Sequence, residues 1–174
     1  MKKLTIVLGL ALLVSTLAPG MLARTSGPST PVAAQDPGVF THQEAGVRFQ
    51  LPKGWKAKPD GEVITASSAD DALQVVFWVP EEANFDAAVK ELDKELGKTI
   101  KNMKTVGKPA EDVLNDMPHY GETGTGDVDG TTIVWSVDVL GAKRPLVILT
   151  FAAPSLFEKH SSAYEQLLNS IKKI

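Results

Sequence analysis

Cysteine is absent from this chain of 174 residues, and the absence removes disulfides, thiolate metal sites, cysteine nucleophiles and a lipid-bearing cysteine at once. An exported domain built from it has to hold together through its core alone. Aromatic residues are few, 6% of the total, and histidine occurs three times, as His42, His119 and His160. No glycine-rich phosphate loop opens a helix, because Gly121, Gly124 and Gly126 precede a strand pattern, and no Gly-x-Ser-x-Gly elbow occurs. After the first twenty residues no apolar run is long enough to cross a bilayer. These gaps exclude a nucleotide-binding loop and leave no catalytic constellation legible, so the expectation is a non-enzyme that needs no cofactor.

The apolar run that does exist stands at the start. Met1, Lys2 and Lys3 are followed by Leu4 to Leu17, 14 residues interrupted only by Thr5, Gly9, Ser15 and Thr16. This is shorter than the roughly 20 residues of a spanning helix and reads as a secretory signal over 1–20, with cleavage after Ala18-Pro19-Gly20 or as late as 34, after Val32-Ala33-Ala34. Residues 21–38, rich in Pro, Gly, Ser and Thr, read as a flexible leader. The expected domain is 39–174, about 135 residues, a usual single-domain size. The expected location is the periplasm or the extracellular space, with no stable membrane span once the signal is removed.

Charge supports a restricted choice of partners. Lys2, Lys3 and Arg24 precede Gln35 while every acid follows it, so from Gln35 onward 15 basic residues face 21 acidic ones. A mildly acidic domain has no long-range attraction for nucleic acid or for an anionic membrane.

Within the domain the hydrophobic periods are clear. Val47, Phe49 and Leu51 alternate with Arg48 and Gln50 as a half-buried strand. Pro52 lacks the amide hydrogen that a ladder needs, and Gly54 allows a left-handed turn that returns Trp55 to the core at the end of the sheet. Ala72 to Val79 is apolar on both faces, which marks a central strand. Phe85, Val89, Leu92, Leu96 and Ile100 follow a helical period, with Asn84 as its cap. Lys90, Lys94, Lys98 and Lys101 form a basic stripe on the outer side of that helix, with Glu91 and Glu95 beside them, the pattern of a solvated face.

A meander follows, with weak strands at 104–108 and 111–114 and stronger ones at 119–126, 131–140 and 145–152. Asp129-Gly130 suits a tight hairpin turn. A last helix is expected from Ser155, capped by its hydroxyl and by Glu158 in a reciprocal box. The two helices are expected to cover opposite faces of the sheet.

"FQLPKGW" (Phe49 to Trp55), the strand and helix at mid-chain, the meander and "LVILTFAAPSLFEKHSSAYEQLLNSI" (Leu146 to Ile171) together resemble the PsbP and Mog superfamily. That group includes the photosystem II protein PsbP, Ran-binding Mog proteins and exported bacterial proteins of unknown role, some similar to DcrB. The resemblance covers 39–174 and implies an α+β fold, an antiparallel β-sheet sandwiched between α-helices. It implies no common reaction, and no functional residues of either family carry over. Fold likeness favours a protein-binding or assembly module whose partner is another envelope or extracellular protein.

Two groups of residues admit a chemical reading beside a structural one. In "HYGETGTGDVD", His119 and Glu122 fall on opposite faces of a strand, whereas Asp127 and Asp129 share one; a weak cation site at that hairpin stands against a solvated tip, because the further oxygens of a calcium loop are missing. Trp78 and Trp135 are core residues or, in the alternative function, line a pocket between sheet and helix that carries a small apolar ligand or lipid.

Overall fold

The computed structural model describes residues 38–81 and 84–174; the expected signal, and the leader up to residue 37, lie outside the described residues. The chain begins with β1 (Val39–His42), β2 (Val47–Gln50), β3 (Lys56–Asp60), β4 (Val63–Ser67) and β5 (Gln74–Trp78). Helix α1 (Phe85–Thr99) leads to β6 (Lys101–Thr105), β7 (Ala110–Leu114), β8 (Met117–Val128), β9 (Thr131–Gly141) and β10 (Pro145–Ala152). Helix α2 (Pro154–Ser170) and the short β11 (Lys172–Lys173) close it.

The larger sheet is antiparallel throughout, in the order β3-β4-β5-β10-β9-β8-β6, with β7 pairing the other half of β8. Its central register, Val139 on Val147 and Leu140 on Leu146, puts apolar side chains on both faces. Both faces must therefore be covered. On one, Leu92 and Leu96 of α1, with Ile100 at its C-cap, pack over Trp135, Val137 and Val147. On the other, Tyr164, Leu167 and Ile171 pack over Phe77, Leu140 and Ile148. There the small sheet β1-β2-β11 joins α2 and contributes Val47 and Phe49, the latter ring stacked 4.4 Å from that of Phe77. The result is a mostly antiparallel β structure with a helix against each face.

Local chemistry explains the boundaries. Asn84 accepts the amide hydrogen of Ala87 at 2.9 Å, as its capping role requires. The expected box at Ser155 does not form: α2 starts one residue earlier, after Ala153, with Pro154 in its first turn and no side-chain cap. Proline needs no amide partner there, and its fixed φ opens the helix instead. The strand expected at 104–108 begins three residues sooner, at Lys101, and carries a register shift with Asn102 at φ 52°. Strands β3 and β11 escape the sequence reading because Lys56, Lys58, Pro59, Lys172 and Lys173 are polar or ring-locked residues that give no alternation of apolar positions.

The corner at Leu51 to Trp55 forms as its residues dictate. Leu51 donates its last ladder bond to the Gly38 carbonyl (2.8 Å), Trp55 donates to the Pro52 carbonyl (3.0 Å), and Gly54 takes φ +84°. Trp55 itself is half-buried, packed on the α2-side core and edge-on to His160 of α2. It clips α2 to the turn rather than plugging the sheet.

Two substitutions test this packing. Trp55→Ala is expected to lower stability by about 2 kcal/mol in urea titration, below the range for a fully buried indole. A methyl group at Gly124 would overlap the Trp135 indole and the Lys104 carbonyl, so Gly124→Ala is expected to cost about 3 kcal/mol in the same measurement.

Candidate functional site

The edge of the sheet beyond β8 gathers the polar groups that the core does not explain. β7 and β8 form a hairpin whose two turn residues, Asn115 (φ 50°) and Asp116 (φ 63°), both adopt the left-handed conformation of a tight turn. The Asn115 amide donates to the carbonyls of Asn169 (3.1 Å) and Ile171 (2.8 Å), and the Lys173 ammonium donates to that of Asp116 (3.0 Å). The hairpin tip is thus tied to the end of α2.

Register places Asp112 of β7 directly opposite His119 of β8, and Asp138 of β9 opposite Gly121. Alternation turns these groups to the α2 side. His119 Nδ1 lies 2.7 Å from Asp112 Oδ1, and its Nε2 lies 2.9 Å from Asp138 Oδ1. The buried Tyr164 hydroxyl donates to Asp138 Oδ2 at 2.5 Å. A continuous polar chain therefore runs from the exposed edge across this face of the sheet to α2. Gly121 leaves room for it, since a methyl group there would come within 3.0 Å of the imidazole and 3.2 Å of Asp138 Oδ1.

Electrostatics follow from this geometry. Only the imidazolium has a hydrogen to give at both ring nitrogens. The bond to Asp138, opposed by burial and helped by Asp112, raises the His119 pKa above its ordinary value. Burial first, and the charge of Asp138 second, push the Tyr164 phenol well above its usual value. Asp138 is thereby a buried carboxylate satisfied at both oxygens.

The opposite face of the same edge is concave. A cleft of about 340 Å³ opens between the first turns of α1, through Phe85, Asp86, Val89 and Lys90, and the β7–β8 edge, through Glu111, Pro118 and Tyr120. The Tyr120 hydroxyl donates to Glu122 Oε2 (2.6 Å), whose other oxygen accepts from Thr105 (2.5 Å), so the cleft's aromatic wall is held in place.

The residues singled out from sequence fall elsewhere. Trp135 is fully buried and Trp78 nearly so, both in the core under α1, and neither lines the cleft. The Trp135 indole N–H donates to the Thr125 carbonyl at 3.2 Å. Asp127 lies at the end of β8 and accepts from Asn102 (2.8 Å) and Thr132 (3.0 Å), which hold its carboxyl below the ordinary range. Asp129 does not share its face by strand alternation: β8 ends at Val128, and Asp129 and Gly130 form the turn with φ 49° and 78°. Among the described residues no group of three or more acids and histidines is placed to hold a metal ion.

The remaining histidines are structural fasteners. His42 donates from Nε2 to the Glu62 carbonyl (2.8 Å) and accepts the Ala45 amide at Nδ1 (3.3 Å), and burial lowers its pKa. His160 lies 3.2 Å from Asp70, which also takes bonds from Lys159 and Ser68 that hold it well below the carboxylate range. His119 and Glu122 do face opposite ways, but pairing across strands, which no spacing rule reports, is what assembles His119 with Asp112, Asp138 and Tyr164.

A raised folded-state pKa means that the His119 brace contributes fully below the unfolded value near 6.5 and is lost as pH rises through the folded one. Urea titration across pH 5–9, roughly the window in which a histidine titrates, is expected to show this alkaline loss in the native chain and a flatter profile in His119→Gln. Tyr164→Phe, which strips a donor from a buried carboxylate, is expected to cost about 1–3 kcal/mol at neutral pH.

No protein-family model matches the sequence, and no curated protein matches it. Solved structures do match. The chain is similar to the cyanobacterial PsbP (CyanoP) of Synechocystis, with a TM-score of 0.54 at 9% identity over 84% of this chain and 98% of that one. It is similar also to LpqN of Mycobacterium tuberculosis, involved in cell envelope biogenesis, with a TM-score of 0.52 at 9% identity over 72% and 82% of the two chains. At such identities the likeness is one of architecture, and the chain has a PsbP-like fold.

Proposed function

We propose that this chain is an exported, non-enzymatic module that binds another protein of the cell envelope. The observation that carries the reading is the state of His119. Both its ring nitrogens are committed to carboxylates, 2.7 and 2.9 Å away, so neither is free to take a proton from a nucleophile. The cluster that most nearly approaches a catalytic one is built as a brace between strands. The envelope role of LpqN supports the location by analogy of fold, as does the apolar segment at the start of the sequence. The layering reads as an α/β/α sandwich in which β1-β2-β11 completes the layer of α2. We read the chain as an exported bacterial member of the PsbP and Mog group, similar to the DcrB-like proteins.

Photo-cross-linking from surface positions on both faces, in envelope preparations of the source cell, is expected to yield a reproducible adduct with another protein. No adduct from any position under native conditions would remove the binding reading. Native mass spectrometry of the protein purified from its source is expected to give the mass of the chain alone. A defined extra mass that disappears on denaturation would favour a carrier of an apolar ligand near Trp78 and Trp135 instead.

A further inference from the structure

The two edges of the large sheet are built differently. β3, at one end, carries Lys56 and Lys58 and loses a ladder donor at Pro59, devices that discourage another strand from pairing. At the other end β6 is bulged and carries Lys101 and Lys104. β7 has neither proline, lysine nor bulge, and among the described residues it pairs with β8 alone. Alternate backbone amides and carbonyls of Ala110–Leu114 therefore point away from the sheet. The strand is held rigid for such a purpose, through its turn to α2 and through Asp112 to His119.

The side chains around this edge define what would pair with it. Val113 and Val106 are 69% and 61% exposed, two of the three large apolar side chains so exposed among the described residues. Glu111 and Asp86 are exposed carboxylates at the cleft, against one ammonium from Lys90. Phe85, Val89 and Tyr120 give the cleft an apolar wall. A lysine or arginine satisfies both halves of this arrangement, its stem on the apolar wall and its cation at the carboxylates.

Resting on the binding role proposed above, we infer that β7 is a docking strand, and that its occupant is an extended, basic segment of a partner protein. The segment adds to the sheet along Ala110–Leu114, with a cationic side chain directed at Glu111 and Asp86. A second copy of this chain is a poorer occupant. Two β7 strands paired antiparallel about their middles would set Asp112 against Asp112, and a slip of one residue toward the start would set Glu111 against Asp112, like charges in direct opposition.

The probe is a capped pentapeptide alternating lysine and valine, titrated into the isotope-labelled protein at low salt. Amide resonances of Ala110–Leu114 are expected to shift, and their outward-facing amides to exchange more slowly. Glu111→Lys is expected to weaken binding about tenfold, and a glutamate-valine peptide to bind weaker by at least that factor. N-methylation of alternate peptide residues, which keeps the charge and removes the pairing hydrogens, is expected to abolish binding. Equal binding of the N-methylated peptide, shifts that map to β3, or no binding at millimolar peptide would each overturn the inference. Self-association of the protein that Glu111→Lys alters would also overturn it, in favour of a second copy. A partner cross-linked only from another face would sink the strand assignment and leave the binding role standing.

Discussion

The fold depends on β9 and β10 being apolar on both sides. Val137, Val139, Val147 and Leu149 face one way while Leu140, Leu146 and Ile148 face the other, all 4% exposed or less. A sheet of that kind is unstable in water until each face is covered, and the short helices available cover only part of it. α1 suffices on its side because Trp78 and Trp135 fill the width that a single helix leaves. On the other side α2 is supplemented by β1, β2 and β11, which bring Phe40 and Phe49 into a stacked row with Phe77. The uneven cover on the α1 side leaves the cleft beside β7, so the candidate site is a consequence of how the core is roofed.

Asp138 is the exception inside that scheme, an acid at 5% exposure beside the fully buried Val137, Val139 and Leu140 of the same strand. Its partners come from three other elements, with Tyr164 on α2, His119 on β8 and, through His119, Asp112 on β7. An apolar residue in its place would pack, but it would not specify which residue of β8 stands beside it. The polar chain specifies register at the point where β8 changes partner from β6 to β7.

The elements that sequence makes legible are those whose period is carried by apolar residues. Phe85 to Ile100 and the doubly apolar strands at 72–79 and 145–152 give α1, β5 and β10 nearly to the residue. The glycine turn at Asp129-Gly130 and the Pro52–Gly54 corner are equally readable, since each demands one backbone geometry. Ser155 misleads because proline one residue earlier opens the same helix by another means. The candidate site is the least legible part. Asp112, His119, Asp138 and Tyr164 span 52 positions and meet only through strand register and helix packing, quantities that no local pattern contains. The Asn115-Asp116 pair was the available signal, because two such residues between short strand-like runs permit a left-handed turn and hence a hairpin.

β11 pairs with β2 across more than a hundred residues, Lys172 on Arg48, and Ile174 donates to the Gly46 carbonyl. The β8-β9-β10 meander, by contrast, closes through turns of a few residues. Contacts of short sequence separation form early and those of long separation late, so the meander is the natural nucleus and the small sheet the final assembly step. During vectorial synthesis the hairpin of β1 and β2 emerges well before α2 and β11, the elements that complete its layer. Until α2 and β11 are made, the cover over Val47 and Phe49 is incomplete, and in the nascent protein that stretch is a hazard for aggregation.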